Sequence, residues 1–216
     1  MDSYSKGYID ALVDAQSHID GYFFLEESLS PALLDAMQKV CPITPNQDGA
    51  ETPAYVYSHY FLGRRATALA RIDLLNKLSQ NFDVTVYTHA DCKDILPTAI
   101  YGGKIDYYDT MPTVFQHSKI NLNITLKTIQ TGIPLRAWDI LGCSGFLLTN
   151  FQQELCDFFI PGEDFVYYES PADAIEKAAY FLSHGRERQE IAHNAFEKIA
   201  ASHTFHHRVQ SMFDII

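Results

Sequence analysis

Apolar residues recur along this chain either at helical spacing or in short unbroken runs, the patterns typical of amphipathic helices and of buried parallel strands. Residues 119–149, KINLNITLKTIQTGIPLRAWDILGCSGFLLT, combine both patterns. They predict a buried strand over 119–124, a long polar loop, a helix that starts at Pro134 and a second buried strand over 146–149. This order is a βαβ crossover, whose first loop lies at the carboxyl edge of the sheet, where ligands bind.

The same patterns predict the remaining elements. Helices are expected over 4–18, 30–40, 64–80, 91–100, 111–118, 150–159, 170–184, 186–200 and 204–216. Strands are expected over 55–57, 82–87, 104–109 and 165–168. Because strands and helices alternate and the strands are apolar, the sequence predicts an α/β domain with a mainly parallel, doubly wound sheet and helices on both faces.

One stretch, PITPNQDGAETP at residues 42–53, is rich in Pro, Gly and Asn and predicts a linker or exposed loop. It divides the chain into an N-terminal helical segment with its linker, residues 1–52, and an α/β domain, residues 53–216. A chain of 216 residues, 47% of them hydrophobic, is long enough to bury the core of such a domain.

Charge and cysteine content exclude several classes of protein. The formal net charge is −11 and no basic stripe is present, so nucleic acid is not expected as a partner. No apolar run approaches the roughly 20 residues of a membrane span, and the N-terminus lacks a signal-peptide pattern, which predicts a cytoplasmic protein. The four cysteines form no CxxC pair, so neither a zinc site nor a disulfide framework is expected.

The start of the crossover helix is the strongest candidate for a binding site. A helix that begins at Pro134 after Gly132 presents unpaired backbone N–H groups and a positive dipole end, an arrangement that suits a phosphate or diphosphate. Arg136 and Asp139 lie three residues apart on one face of this helix. Asp139 is suited to accept hydrogen bonds from vicinal ribose hydroxyls, but the spacing fits an ion pair between Arg136 and Asp139 equally well.

The order of several longer motifs resembles the C-terminal half of GT-B glycosyltransferases, in particular the bacterial group related to the CgeB spore-maturation proteins. The motifs are SKINLNITLKTIQTGIPLRAWDILGCSGFLLTNFQQEL, FIPGEDFVYYESPADAIEKAAYFLSH, ERQEIAHNAFEKI and HTFHHRV, and the resemblance covers about residues 55–216. It implies a Rossmann-like domain that binds a nucleoside-diphosphate sugar, in an enzyme that builds a cell-surface or spore polysaccharide.

The resemblance also implies roles for residues around the crossover helix. Asp139 corresponds to the acidic residue on the ribose, and the backbone of Gly132, Ile133, Pro134, Leu135 and Arg136 would face the diphosphate. Thr131 stands where many relatives carry a glutamate that contacts the donor sugar. The nucleobase would lie beside Lys104, Ile105 and Asp106, largely against backbone groups.

Three further cations are candidates for the diphosphate. Arg64 and Arg65 follow Gly63 at a predicted helix start, where relatives often carry a basic residue near the diphosphate, and the two cannot be ranked. Lys127 lies within the long loop, and a solvated loop lysine is an equally good interpretation of it.

Together, the motifs and the resemblance predict the donor-binding half of a glycosyltransferase that acts on an unknown acceptor. Its substrate would be a nucleotide sugar, and neither a metal nor another cofactor is expected. An N-terminal acceptor-binding domain, in the same or another chain, would be missing, so little activity is expected from this chain alone. No catalytic residue is assigned. The alternative is a non-catalytic nucleotide-binding or assembly module; a receiver domain ranks last because its acidic residues are absent.

Overall fold

A computed structural model of the protein describes residues 1–44, 49 and 51–214. The chain forms two compact units: Met1–Leu74 with Thr125–Gln130, and Leu75–Ile124 with Thr131–Ile216. The first unit thus extends beyond residue 52, and the domain division at that residue stays a prediction. Part of the predicted linker, residues 45–48 and 50, and the last two residues of the predicted C-terminal helix lie outside the described residues.

The first unit is helical. Helices α1 (Ser3–Ser17) and α2 (Pro31–Val40) confirm the two helices predicted for the N-terminal segment. Ser30 caps α2 by accepting a hydrogen bond from the backbone N–H of Leu33, as its position before a proline predicts. The buried side chains of this unit form one cluster: Ile9, Val13, Leu25, Leu29, Leu33, Met37, Tyr57, Leu62 and Ala66.

The strand predicted over 55–57 is wrong, because a helix begins just before it. Thr52 caps a short helix, α3 (Pro53–Tyr55), which continues through a π-helix (Val56–Leu62) into α4 (Gly63–Ser79). The Tyr57 ring is buried, and its hydroxyl lies 2.6 Å from both the Gln38 side chain and the Cys41 carbonyl. Packing of this aromatic residue against α2 therefore decides the conformation, rather than the β-propensity of three residues.

Parallel strands dominate the second unit. Strands β1 (Thr85–Tyr87) and β2 (Ile100–Gly103) pair in parallel. Strands β3 (Asn121–Asn123), β4 (Leu147–Asn150) and β5 (Val166–Tyr168) form a second parallel sheet in the order β3-β4-β5. The predicted class, a Rossmann-like α/β fold with an N-terminal helical segment, is confirmed, although the described strands are assigned to two parallel sheets instead of one.

The helices of this unit follow the predicted order. They are α5 (Met111–His117), α6 (Leu135–Gly142), α7 (Pro171–Ser183), α8 (Gly185–Ser202) and α9 (Phe205–Phe213). Buried apolar side chains from α5, α6, α8, β4 and the segment between β4 and β5 meet in one cluster: Phe115, Ala137, Ile140, Leu141, Leu147, Leu155, Phe159, Phe165 and Ala195.

Three predicted elements of the second unit are wrong. Residues 91–100 form turns up to the start of β2, and residues 150–159 contain only a 3₁₀ helix (Gln153–Asp157) because Asn150 belongs to β4. Residues 104–109 form a turn instead of a strand, since the Asp106 carboxylate accepts hydrogen bonds from the backbone N–H groups of Tyr108 and Asp109. Such local bonds favour a turn over an extended strand.

The crossover β3-α6-β4 is confirmed, with Asn121 opposite Leu147 in parallel register. Its closing turn requires glycine, because a Cβ at Gly145 would lie 2.8 Å from both the Asn121 side-chain amide and the Phe115 carbonyl. The buried Asn121 amide donates to the Phe115 carbonyl, and that of Asn123 donates to the Thr149 hydroxyl. The two asparagines therefore brace the strand from which the long loop departs.

Candidate functional site

The candidate site begins where the long loop enters α6. Gly132 adopts a φ of +99°, a conformation that favours glycine, and Pro134 has extended backbone at the N-cap position. The backbone N–H groups of Leu135 and Arg136 then stand in the first turn, where no helical carbonyl lies one turn earlier. Leu135 is 76% exposed and Arg136 is exposed, so this helix end faces solvent within the second unit.

Asp139 lies one turn further along α6 and is held by a tyrosine. The Tyr107 hydroxyl donates a hydrogen bond to Asp139 Oδ2 over 2.5 Å. This bond, assisted by burial and by the negative charge of Asp139, raises the pKa of Tyr107 to about 12. The charge of Arg136 opposes this rise but does not reverse it, so the phenol keeps its proton at neutral pH and Asp139 has a neutral hydrogen-bond partner.

The structure shows whether Arg136 and Asp139 form the ion pair that their spacing allows. Among the ion pairs of the described residues, none joins these two side chains, and Asp139 is bonded to Tyr107 instead. Asp139 is half-buried, hence neither sealed in the core nor fully in solvent. A half-buried carboxylate beside an open helix start can accept hydrogen bonds from hydroxyl groups of a bound molecule.

The turn after β2 brings Tyr107 into place. Asp106 organises this turn through its bonds to two backbone N–H groups, each 2.8 Å long, and the same bonds lower the pKa of Asp106. Lys104 is exposed and Ile105 is half-buried in this turn. Tyr108 is 83% exposed and meets the Tyr107 ring edge-on at 5.2 Å. An aromatic pair thus lies next to the carboxylate of Asp139.

The four residues just before α6, which are predicted to lie near the donor sugar and the diphosphate, differ in exposure. Thr131 and Gly132 are exposed, whereas Ile133 and Pro134 are half-buried, with Ile133 packed against the core of the second unit. Thr131 can offer a bound sugar only a short hydroxyl, in place of a carboxylate.

The remaining predicted cations belong to the first unit and have partners there. Lys127 Nζ lies 2.7 Å from Asp20 Oδ1, its side chain is only 5% exposed, and its backbone N–H donates to the Thr67 hydroxyl. The interpretation of Lys127 as a solvated loop lysine is therefore wrong. Arg65 pairs with Asp10 at 2.6 Å.

Arg64 differs from its neighbour in having an aromatic contact. Its guanidinium lies 5.7 Å from the centre of the Tyr60 ring, a cation–π distance, and the residue is exposed. Of the two arginines that the sequence could not rank, Arg65 is held by a carboxylate and Arg64 is not held by one among the described ion pairs.

Tyr107 is the candidate site residue that sequence reasoning missed. The stretch KIDYYD was predicted as a strand, which gives no reason to bring Tyr107 near the crossover helix. The available signal was the glycine pair followed by Asp106, because Gly and Asp favour turns and the Asp side chain can bond the backbone two residues on. A turn at this point frees the following aromatic residues to face a neighbouring element.

A cavity of about 650 Å³ lies in the first unit and contains none of the predicted site residues. Its lining includes both polar and apolar residues: Ile43, Thr44, Gly49, Glu51, Val56, Tyr60 and Phe61.

Among the described residues, no group of three His, Cys, Asp or Glu side chains is placed to hold a metal ion. Nor is any helix in the described part of the chain long and apolar enough to cross a membrane.

An open helix start after the first strand of a parallel βαβ unit can bind an anion such as a phosphate, and here Asp139 adds a carboxylate one turn later. The chain belongs to the glycosyl transferase-like family, whose model matches residues 65–214 and so includes the entire crossover and the turn that holds Tyr107. No curated protein and no solved structure matches the chain. Family membership supports a function in glycosyl transfer.

Proposed function

We propose that this chain binds a nucleoside-diphosphate sugar at the start of α6 and acts as the donor-binding half of a glycosyltransferase. The observation that carries the proposal is the half-buried Asp139, bonded to a neutral Tyr107, one turn from an exposed helix start. This group of residues lies inside the region that matches the glycosyl transferase-like family, and members of that family would take their sugar from such a donor.

Each part of the donor has a candidate partner in the second unit. Asp139 accepts hydrogen bonds from the ribose hydroxyls, and the Lys104–Ile105 backbone borders the base. The N–H groups between Gly132 and Arg136, together with the Arg136 guanidinium, face the diphosphate. Because the same groups stabilise the diphosphate as it leaves, they lower the barrier to sugar transfer electrostatically, without needing a metal.

The acceptor is proposed to bind elsewhere. GT-B transferases, which the motifs resemble, place donor and acceptor on two Rossmann-like domains, and we propose that the second unit of this chain is the donor domain. A second domain, from the same or another chain, would bring the acceptor and any general base. Transfer to ordinary acceptors by residues 1–216 alone would contradict this division of labour.

Nucleotide titration tests the donor site directly. Calorimetric titration with UDP, GDP, CDP and dTDP should show binding of at least one, and Asp139→Ala should weaken it by about tenfold or more, since a charge-assisted hydrogen bond is lost. Glu176→Ala, which removes an exposed carboxylate from α7, is the matched control and should bind as the wild type does. Failure of all four nucleotides to bind, or an unchanged affinity in Asp139→Ala with its fold intact, would rule the site out.

Thr131 favours one alternative, a nucleotide-binding module without catalysis. It stands where many relatives carry the glutamate that contacts the donor sugar, and a threonine cannot make the same charged contact. If the chain is such a module, nucleoside diphosphates and their sugar conjugates should bind equally well. Incubation with the donor should then release no sugar, even over long times.

A further inference from the structure

We propose that Tyr107 is a specificity-determining residue: with Asp139 it binds the vicinal 2′- and 3′-hydroxyls of a ribose, so that the site selects ribonucleotides over 2′-deoxyribonucleotides. This role of Tyr107 rests on the proposed donor site. It adds a second hydrogen-bond acceptor beside the carboxylate, on a residue of the β2–α5 turn.

The direction of the Tyr107–Asp139 hydrogen bond determines which hydrogen-bonding groups the pair presents to a ligand. The phenol proton points to Asp139 Oδ2, 2.5 Å away, because a carboxylate is only an acceptor. The phenol oxygen therefore presents its lone pairs outward, and Asp139 Oδ1 remains a second acceptor. Toward a ligand, the pair offers two acceptors on adjacent side chains and no proton.

Because the Tyr107–Asp139 pair presents only acceptors, it favours ligand groups that donate hydrogen bonds. With its pKa raised to about 12, the phenol keeps its proton at neutral pH, and the hydrogen bond to Asp139 occupies that proton. Phosphate oxygens are repelled by the Asp139 charge, and ether or carbonyl oxygens find no donor in this pair. A vicinal diol supplies two O–H donors side by side, which matches two adjacent acceptors, whereas a 2′-deoxyribose supplies only one.

The pair is also accessible and held in position. Tyr107 is 44% exposed and Asp139 is half-buried, so a ligand can reach both oxygens. The ring of Tyr107 rests edge-on against Tyr108, and Asp106 holds the turn that carries both tyrosines. Because the acceptors are arranged before a ligand arrives, little ordering entropy is lost when the diol binds.

The test compares a ribonucleoside diphosphate with its 2′-deoxy counterpart, using UDP and dUDP or GDP and dGDP, whichever base the wild-type chain binds. The wild type should prefer the ribonucleotide by about tenfold, the effect of one lost hydrogen bond with its acceptor left unpaired. Tyr107→Phe keeps the ring and removes the oxygen. It should lower ribonucleotide affinity by about three- to tenfold, leave 2′-deoxyribonucleotide affinity within about twofold, and so abolish most of the preference.

Tyr108→Phe is the matched control, because it removes the same oxygen from the neighbouring, 83% exposed tyrosine, and it should keep the wild-type preference. A ribo-to-deoxy ratio that stays unchanged in Tyr107→Phe overturns the role of Tyr107 while leaving the donor site intact. An absence of binding by any nucleotide to the wild type overturns the donor site and this role together. Should Tyr107→Phe unfold, the wild type alone decides, because equal affinity for the ribonucleotide and its 2′-deoxy counterpart would equally overturn the role.

Discussion

Two charged site candidates of the first unit and one of the second unit have partners of opposite kinds. In the first unit, Lys127 and Arg65 each lie within 2.7 Å of a carboxylate, from Asp20 and Asp10 respectively. In the second unit, Asp139 is held by a neutral phenol. An opposite charge positions a side chain and cancels its field, whereas a neutral partner positions it and leaves the field for a ligand.

This contrast belongs to the site and is not a general property of the second unit. Asp164, which is 1% exposed, is paired there with Lys198 and accepts a further bond from the Ile160 N–H. It therefore fixes the turn before β5 in the way that Asp20 fixes the loop around Lys127. Asp20, Asp10 and Asp164 each pair with a cation, whereas among the described ion pairs none includes Asp139.

The largest predicted effect comes from breaking the buried pair of the first unit. Asp20→Ala should lower the free energy of unfolding by about 3 kcal/mol, since it leaves the 5% exposed Lys127 side chain without its counter-charge. Lys127→Met should cost only about 1 kcal/mol, because Asp20 is 39% exposed and water can solvate it. Urea unfolding of the three proteins measures both values.

Nucleotide affinity is the control for this pair. If the pair is structural, Lys127→Met should change the affinity for a nucleoside diphosphate by less than about threefold. A loss of tenfold or more with unchanged stability would instead place Lys127 on the phosphates. That result would remove the contrast between the units.

The crossover was predictable from sequence because its signals are local and mutually consistent. A buried apolar run, Gly132 and Pro134 at the helix start, and Gly145 before the second run each favour the same βαβ unit. Side-chain capping likewise made the starts of α2, α7 and α9 predictable. Such elements need no information about distant parts of the chain.

The error at 104–109 came from overlooking the local turn signal of Asp106, whereas the error at 55–57 and the missed partners arose where distant contacts decide. The segment 55–57 has strand propensity, yet Tyr57 is buried against α2 and the chain is helical. The bond from Tyr107 to Asp139 spans 32 residues, and the pairing of Lys127 with Asp20 spans 107, so neither could follow from local spacing. The candidate helix start was therefore predictable, and the partners that distinguish its charges were not.

A smaller effect is predicted for Arg136, the exposed cation at the start of α6. Arg136→Gln should weaken binding of a nucleoside diphosphate by about three- to tenfold and leave stability within about 0.5 kcal/mol, because this exposed side chain would contact phosphate oxygens. The same variant should bind the corresponding nucleoside, which has no phosphate, as the wild type does. Equal losses for nucleoside and diphosphate would show that Arg136 acts on the shape of the site and not on the phosphates.

The role of the Arg65–Asp10 pair can be tested by the direction in which nucleotide affinity changes in two variants. Both side chains are about half exposed, so Asp10→Asn and Arg65→Gln should each change stability by less than about 1 kcal/mol. If the pair is structural, neither variant should alter nucleotide affinity. Tighter binding in Asp10→Asn together with weaker binding in Arg65→Gln would mean that Arg65 contacts the diphosphate once it is released from Asp10, and that the pair is not purely structural.

The smallest predicted effect concerns a second charge in the second unit that neutral groups hold. Arg208 lies over the Trp138 and Phe158 rings and within 2.9 Å of His203 Nδ1. Burial, followed by the charges of Arg208 and of His207, lowers the pKa of His203. The unfolded chain therefore binds a proton at this residue more readily than the folded chain does.

Stability from His203 should accordingly be complete above pH about 6.5, the ordinary histidine pKa, and should decrease as the pH falls below it. Urea unfolding at pH 7.5 and 5.5 should show a loss at the lower pH that is smaller in His203→Gln than in the wild type. His89→Gln, which removes an exposed histidine, is the control and should keep the wild-type difference. An identical pH dependence in His203→Gln and the wild type would show that Arg208 tolerates a charged neighbour. A neutral partner would then be important for Asp139, at the proposed ligand site, but not for Arg208.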